Sequence, residues 1–129
     1  MRKTINGFAL VEVVIVIVLL SGSLLVFLEA LSQAKSLQVK SEIITIQSLL
    51  LHSKINEIRS DNYEDITQNN NYTAFSDYPS YSYLYTVSYV NDNLDIVNSA
   101  TNLKRIDLNI KHNSNSYPAI SESFIIANI

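Results

Sequence analysis

Residues 7–28 read Gly7-Phe8-Ala9-Leu10-Val11-Glu12-Val13-Val14-Ile15-Val16-Ile17-Val18-Leu19-Leu20-Ser21-Gly22-Ser23-Leu24-Leu25-Val26-Phe27-Leu28. From Phe8 onward the run holds one charged side chain, Glu12. A helix over residues 8–28, at about 1.5 Å per residue, spans roughly 31 Å, which matches the hydrocarbon core of a bilayer. The run therefore predicts one membrane-spanning helix. Arg2 and Lys3 precede it, and positive flanks stay cytoplasmic, so the chain is expected to run N-in, C-out. An ordinary secretory signal has a shorter apolar core followed by a small-residue cleavage site. Here the apolar run passes into more helix-forming sequence, and Ser21-Gly22-Ser23 is its only cluster of small residues.

Outward from this segment the composition changes. The chain has 129 residues and a formal charge of −3, which allows one modest domain. Its mean hydropathy of +0.13 averages two unlike parts, an apolar anchor and a segment 60–129 rich in Asn, Ser, Asp and Tyr. With no Cys there is no disulfide framework, thiolate metal site or Cys nucleophile. Only two Gly are present, and neither phosphate-cradling glycine motif occurs. The acidic balance argues against an electrostatic footprint for nucleic acid.

Glu12 is the residue that asks for a function. A carboxylate in hydrocarbon costs on the order of 3 kcal/mol or more and usually has a partner. One reading has it snorkel to the near interface. The other supplies a cation. If the chain were cut after Gly7, the amine of Phe8 would lie four residues from Glu12, and Glu12 would neutralise that amine or a neighbouring subunit's.

Arg2, Lys3, Gly7, Phe8 and Glu12 together resemble the prepilin signal of type IV pilins and type II secretion pseudopilins: a short basic leader ending in Gly, then Phe, then Glu at the fifth mature position. Ala9 stands where Thr is commoner. The resemblance implies that a prepilin peptidase cuts between Gly7 and Phe8 and methylates the Phe8 amine. It implies that Glu12 guides docking into a growing filament. It also implies an apolar helix that anchors the subunit in the cytoplasmic membrane and later packs in a periplasmic or extracellular filament. Implied partners are the peptidase, other pilin or pseudopilin subunits, a membrane assembly platform and inner-membrane lipid; no nucleic acid and no cofactor is expected. Cleavage would remove Arg2 and Lys3 and take the formal charge from −3 to −5.

The expected organisation is a leader, 1–7; a transmembrane half-helix, 8–28; an amphipathic half-helix, 29–59; and a head, 60–129. Ala30, Ala34, Leu37, Ser41, Ile44, Ser48, Leu51, Ile55 and Ile58 recur at steps of four and three, a helical stripe. A second stripe, Val39, Ile43, Ile46 and Leu50, lies beside it. No Pro or Gly interrupts 24–59, so one helix over about 8–59 is predicted, its second half packed on the head. Many pilins carry a kinking Pro near mature position 22; here Glu29 stands there, and Gly22 is the expected soft point. His52 lacks ligand partners at helical spacing and reads as a surface residue. Lys54, Glu57 and Arg59 read as a solvated face.

Residues 60–82 are turn-rich and predict a long loop, with Tyr63, Tyr72, Phe75 and Tyr78 holding it to the domain. Tyr83–Val90 alternates, placing Tyr83, Tyr85, Val87 and Tyr89 on one face. Asn91-Asp92-Asn93 reads as a turn and Leu94–Val97 as a short strand. Leu103–Lys111 alternates again with Ile106, Leu108 and Ile110 inward, and Ala119–Ala127 is a last strand. The fold class expected is α+β, a long helix on an antiparallel sheet of three or four strands. The tyrosines lack the interleaved Lys and Arg of a base-stacking surface and read as half-buried strand aromatics. Asp92, Asn93 and Asp95 offer too few oxygens for calcium, so no metal site is expected. His112 reads as a hairpin-edge residue, and no hydrolase grouping has a local signature, so no enzyme is expected.

The stretch Leu103–Ile110 followed by a terminal strand resembles minor pilins of the "I" or "V" kind. The resemblance implies a non-catalytic subunit that primes filament assembly. An alternative is a DNA-uptake or adhesive pilin using the Tyr-rich head.

Overall fold

The computed structural model describes residues 5–129, with side chains from Ala9 onward. The first four residues of the expected leader and the side chains of the Gly7–Phe8 junction lie outside the described residues. Helix α1 runs Ile5–Ser60, α-helical through Gly22. The chain divides into two compact units, one ending at Val39 and one covering Lys40–Ile129.

In the first unit every described side chain is exposed, including Leu25 at 69% and Phe27 at 58%. Such a surface is at home in lipid, and α1 is the one helix among the described residues long and apolar enough to cross a membrane. Its hydroxyls are satisfied within the helix: Ser21 and Ser23 donate to the carbonyls of Ile17 and Leu19 at 2.7 and 2.8 Å. A bilayer interior demands that internal pairing.

The second unit packs the end of α1 on an antiparallel sheet. Its strands are β1 (Thr73–Ala74), β2 (Tyr81–Val90), β3 (Ile96–Val97), β4 (Leu103–His112) and β5 (Ile120–Ala127). Their order is β1-β2-β4-β5, with β3 also on β2. The long pairings run Tyr81↔His112 to Tyr89↔Lys104 and Leu103↔Ala127 to Ile110↔Ile120. Ile106, Leu108 and Ile110 are wholly buried, as the alternation predicts, and meet Leu50, Leu51, Ile55 and Ile58 of the helix. Each such aliphatic side chain contributes about 1.5–3 kcal/mol of burial. The fold is α+β.

Four expectations change. The sheet has five strands rather than three or four: β3 falls within the short strand expected at Leu94–Val97, and the added one is β1, a two-residue pairing too short to leave an alternation in sequence. The expected loop 60–82 holds β1, the first two residues of β2 and a 3₁₀ turn at Tyr63–Asp65. On α1 the packed face draws on both stripes: Ile43 and Leu50 of the second and Leu51, Ile55 and Ile58 of the first are buried together with Gln47 and Lys54, while Leu37 and Ile44 of the first and Val39 of the second are exposed. Lys54, expected on a solvated face, is 8% exposed, since its aliphatic stem lies along the core while its head reaches outward.

Candidate functional site: the helix around Glu12 and the charged groups of the head

Glu12 lies in α1 among Leu10, Val11, Val13, Val14 and Ile15, all exposed. It makes no ion pair among the described residues. Phe8 and Glu12 belong to the same helix four residues apart, so about one turn of backbone separates the junction from the carboxylate. The arrangement is a carboxylate on an apolar helix, one turn beyond the junction that sequence singles out.

In the head the cations are already engaged. Lys54 Nζ donates to Glu57 Oε1 at 2.8 Å and lies 4.2 Å from the Tyr83 ring centroid. Burial alone would lower the Lys54 pKa, but the Glu57 carboxylate and the neighbouring Tyr83 outweigh it and hold it above its ordinary 10.5. Arg59 stands over Phe124 at 5.3 Å, and Lys111 over Tyr72 at 4.0 Å. Arg105 pairs with Asp107 at 2.9 Å, and Ser123 Oγ donates to the same carboxylate.

Lys104 is the member that sequence reading missed. It is 4% exposed, its Nζ donating to the carbonyls of Tyr63 at 2.6 Å and Ile66 at 3.2 Å. The rings of Tyr63 and Tyr89 flank it at 4.3 and 5.7 Å. The signal was present: Lys104 shares the inward register of Ile106, Leu108 and Ile110. Gln47, wholly buried, donates to Pro118 O at 3.1 Å and leaves its Oε1 without a partner.

The tyrosines of β2 line the core side of the sheet. Tyr81 is buried, and Tyr83 and Tyr85 are half-buried and stacked at 6.3 Å. Burial raises the hydroxyl pKa of Tyr63, Tyr81 and Tyr85 above the ordinary 10.0. Tyr63 Oη donates to Thr101 O at 2.7 Å, Tyr72 Oη to Asn109 at 2.8 Å, and Phe75 packs on Tyr83 at 4.9 Å, so the loop aromatics hold that segment down as expected. Tyr78 does so through an edge contact with Tyr81.

The acidic turn is built around Asn91, whose Oδ1 accepts from the amides of Asn93 at 3.0 Å and Asp95 at 2.9 Å. Leu94 takes a left-handed φ of 68° to close it. His52 is exposed. His112 sits between the edges of Tyr81 and Tyr117 and accepts from the Ser114 amide through Nδ1. Among the described residues no three His, Cys, Asp or Glu side chains gather into a metal-binding group.

No protein-family model, no curated protein and no solved structure matches the chain. The architecture, a long apolar N-terminal helix packed at its end on an antiparallel sheet, is pilin-like.

Proposed function

We propose that this chain is a minor pilin or pseudopilin subunit. A prepilin peptidase cuts it after Gly7 and methylates the amine of Phe8. Residues 8–28 anchor the mature subunit, N-in and C-out, in the cytoplasmic membrane. Glu12 then docks against the amine of a neighbouring subunit as the filament grows, and the subunit helps prime that assembly. The reading assigns the chain no catalysis.

The single observation that carries this is Glu12: a carboxylate on an exposed apolar helix, four residues past a Gly–Phe junction, with no ionic partner among the described residues. A charge so placed is costly unless a cation meets it, and the freed Phe8 amine is the cation the sequence offers. The DNA-uptake alternative has less support. Each Lys and Arg from Lys54 onward is held by an aromatic ring, a carboxylate or a carbonyl, which leaves no ready cationic track for a phosphate backbone.

Glu12→Val tests the docking role. Expression in a pilus- or pseudopilus-assembling host should leave membrane insertion unchanged and sharply reduce recovery of the subunit in sheared filaments. Recovery equal to the unsubstituted chain would contradict charge pairing at Glu12.

A further inference from the structure

The two edges of the sheet are treated differently. Along β2 the outer edge is closed almost throughout. β1 pairs with Ser82 and Tyr83, and β3 pairs with Tyr89 and Val90. Between them Asn69 imitates a strand: its backbone N–H donates to Tyr85 O at 3.3 Å and its Oδ1 accepts from the Tyr85 amide at 2.6 Å. β5 is the opposite edge, and outside its ladder with β4 no main-chain group of Ile120–Ala127 has a partner among the described residues. An eight-residue edge with one charge, Glu122, and an exposed Ile125 is the kind of edge that soluble proteins ordinarily cover or break.

We infer that β5 is a docking edge for an extended strand from a different protein, one bearing a basic side chain opposite Glu122. A second copy of this chain fits poorly in either sense. Head-to-tail pairing needs two open edges, and the β2 edge is closed. Two-fold pairing of β5 with β5 relates the copies by an axis normal to the sheet. That would run their Lys40–Ser60 segments in opposite directions, which copies anchored by one end of that helix in one membrane do not do; this step alone rests on the proposed anchoring.

Charge selects the partner's chemistry. On the face away from the helix the sheet beside β5 carries a groove of about 270 Å³ lined by Leu84, Thr86, Asn109, Ser121 and Ser123 with the Asp107 carboxylate, whereas Glu122, opposite Leu108, projects from the other face of β5. Asp107 is matched by Arg105, whereas Glu122 has no ion-pair partner among the described residues. A basic residue opposite Glu122 on an added strand projects to the same face as that carboxylate, where the two meet as a cross-strand pair. The ladder supplies affinity through main-chain bonds, and Glu122 sets preference by charge.

The test uses the full chain in detergent and two eight-residue peptides of alternating Val and Thr, one with a central Lys and one with a central Glu. The Lys peptide should bind, slow hydrogen exchange in residues 120–127, and lose binding when alternate amides are N-methylated. Glu122→Lys, an exposed substitution, should reverse the preference between the peptides by roughly tenfold or more. Absence of binding, protection appearing at β2 instead, or indifference to N-methylation would overturn the inference. So would a β5-linked homodimer in sedimentation and cross-linking. None of these readouts depends on cleavage after Gly7, so they fail or succeed apart from the proposed function.

Discussion

Replacing Lys104 with Met removes the ammonium and keeps most of the buried stem. Two charge-assisted hydrogen bonds, to Tyr63 O at 2.6 Å and Ile66 O at 3.2 Å, are lost, each contributing about 1.5–3 kcal/mol. The contact with the Tyr63 ring adds about 0.5–2 kcal/mol. Against this, Met avoids the desolvation of a buried ammonium, a penalty of several kcal/mol per ion. The two carbonyls remain, now facing a thioether, and an unpartnered buried acceptor costs about 1–3 kcal/mol. The balance is a net loss of about 3 kcal/mol, arising mostly from the stranded carbonyls.

Urea unfolding of the full chain in detergent, followed by the near-ultraviolet tyrosine signal, reads that loss. Hydrogen exchange locates it. The loop should open first, because Tyr63 Oη to Thr101 O is the other hydrogen bond that ties residues 63–66 to the sheet side of the head. Exchange should therefore accelerate at residues 61–66 by more than in β4. A stability change within 0.5 kcal/mol would refute the reasoning, and so would an equal loss of protection along β4.

Alkaline pH should destabilise the head. Lys54 has a folded pKa above 10.5, and Tyr63, Tyr81 and Tyr85 have folded values above 10.0. A group whose folded pKa is raised contributes stability that is complete below the unfolded pKa and lost as pH rises through the folded one. Thermal melts should thus be flat from pH 8 to about 9.5 and fall above pH 10, with Glu57→Gln reducing the Lys54 share. Leu94→Gly should stabilise the head by about 1 kcal/mol, because a left-handed φ of 68° is strained for Leu and free for Gly; equilibrium unfolding measures it. Asn69→Ala should open the middle of the β2 edge and speed exchange at the Tyr85 amide, whose acceptor it removes.

Patterns of hydrophobicity made the frame of the molecule legible. The unbroken run to Arg59 and the alternation in 83–90 and 103–111 mark α1, β2 and β4, and Ile106, Leu108 and Ile110 face inward as that alternation requires. What stayed hidden depended on tertiary context. β1 pairs only two residues, and two residues have no period. The sheet packs on residues of both apolar stripes of α1, Ile43 and Leu50 of one and Leu51, Ile55 and Ile58 of the other, and where along each stripe the packing begins is set by the partner surface and not by the helix. Lys54 and Lys104 are buried because their stems are apolar, so charge alone misplaced one and overlooked the other. Glu12 was legible for the opposite reason: in an otherwise apolar span a single carboxylate has no neighbours to disguise it.

The most direct test is the N-terminus itself. The full chain should be co-expressed with a prepilin peptidase and its intact mass and N-terminal peptide determined. The account predicts loss of Met1–Gly7 and a chain beginning at Phe8 with one methyl group on its amine. A chain that still begins at Met1, or one cut near Ser23, would contradict it.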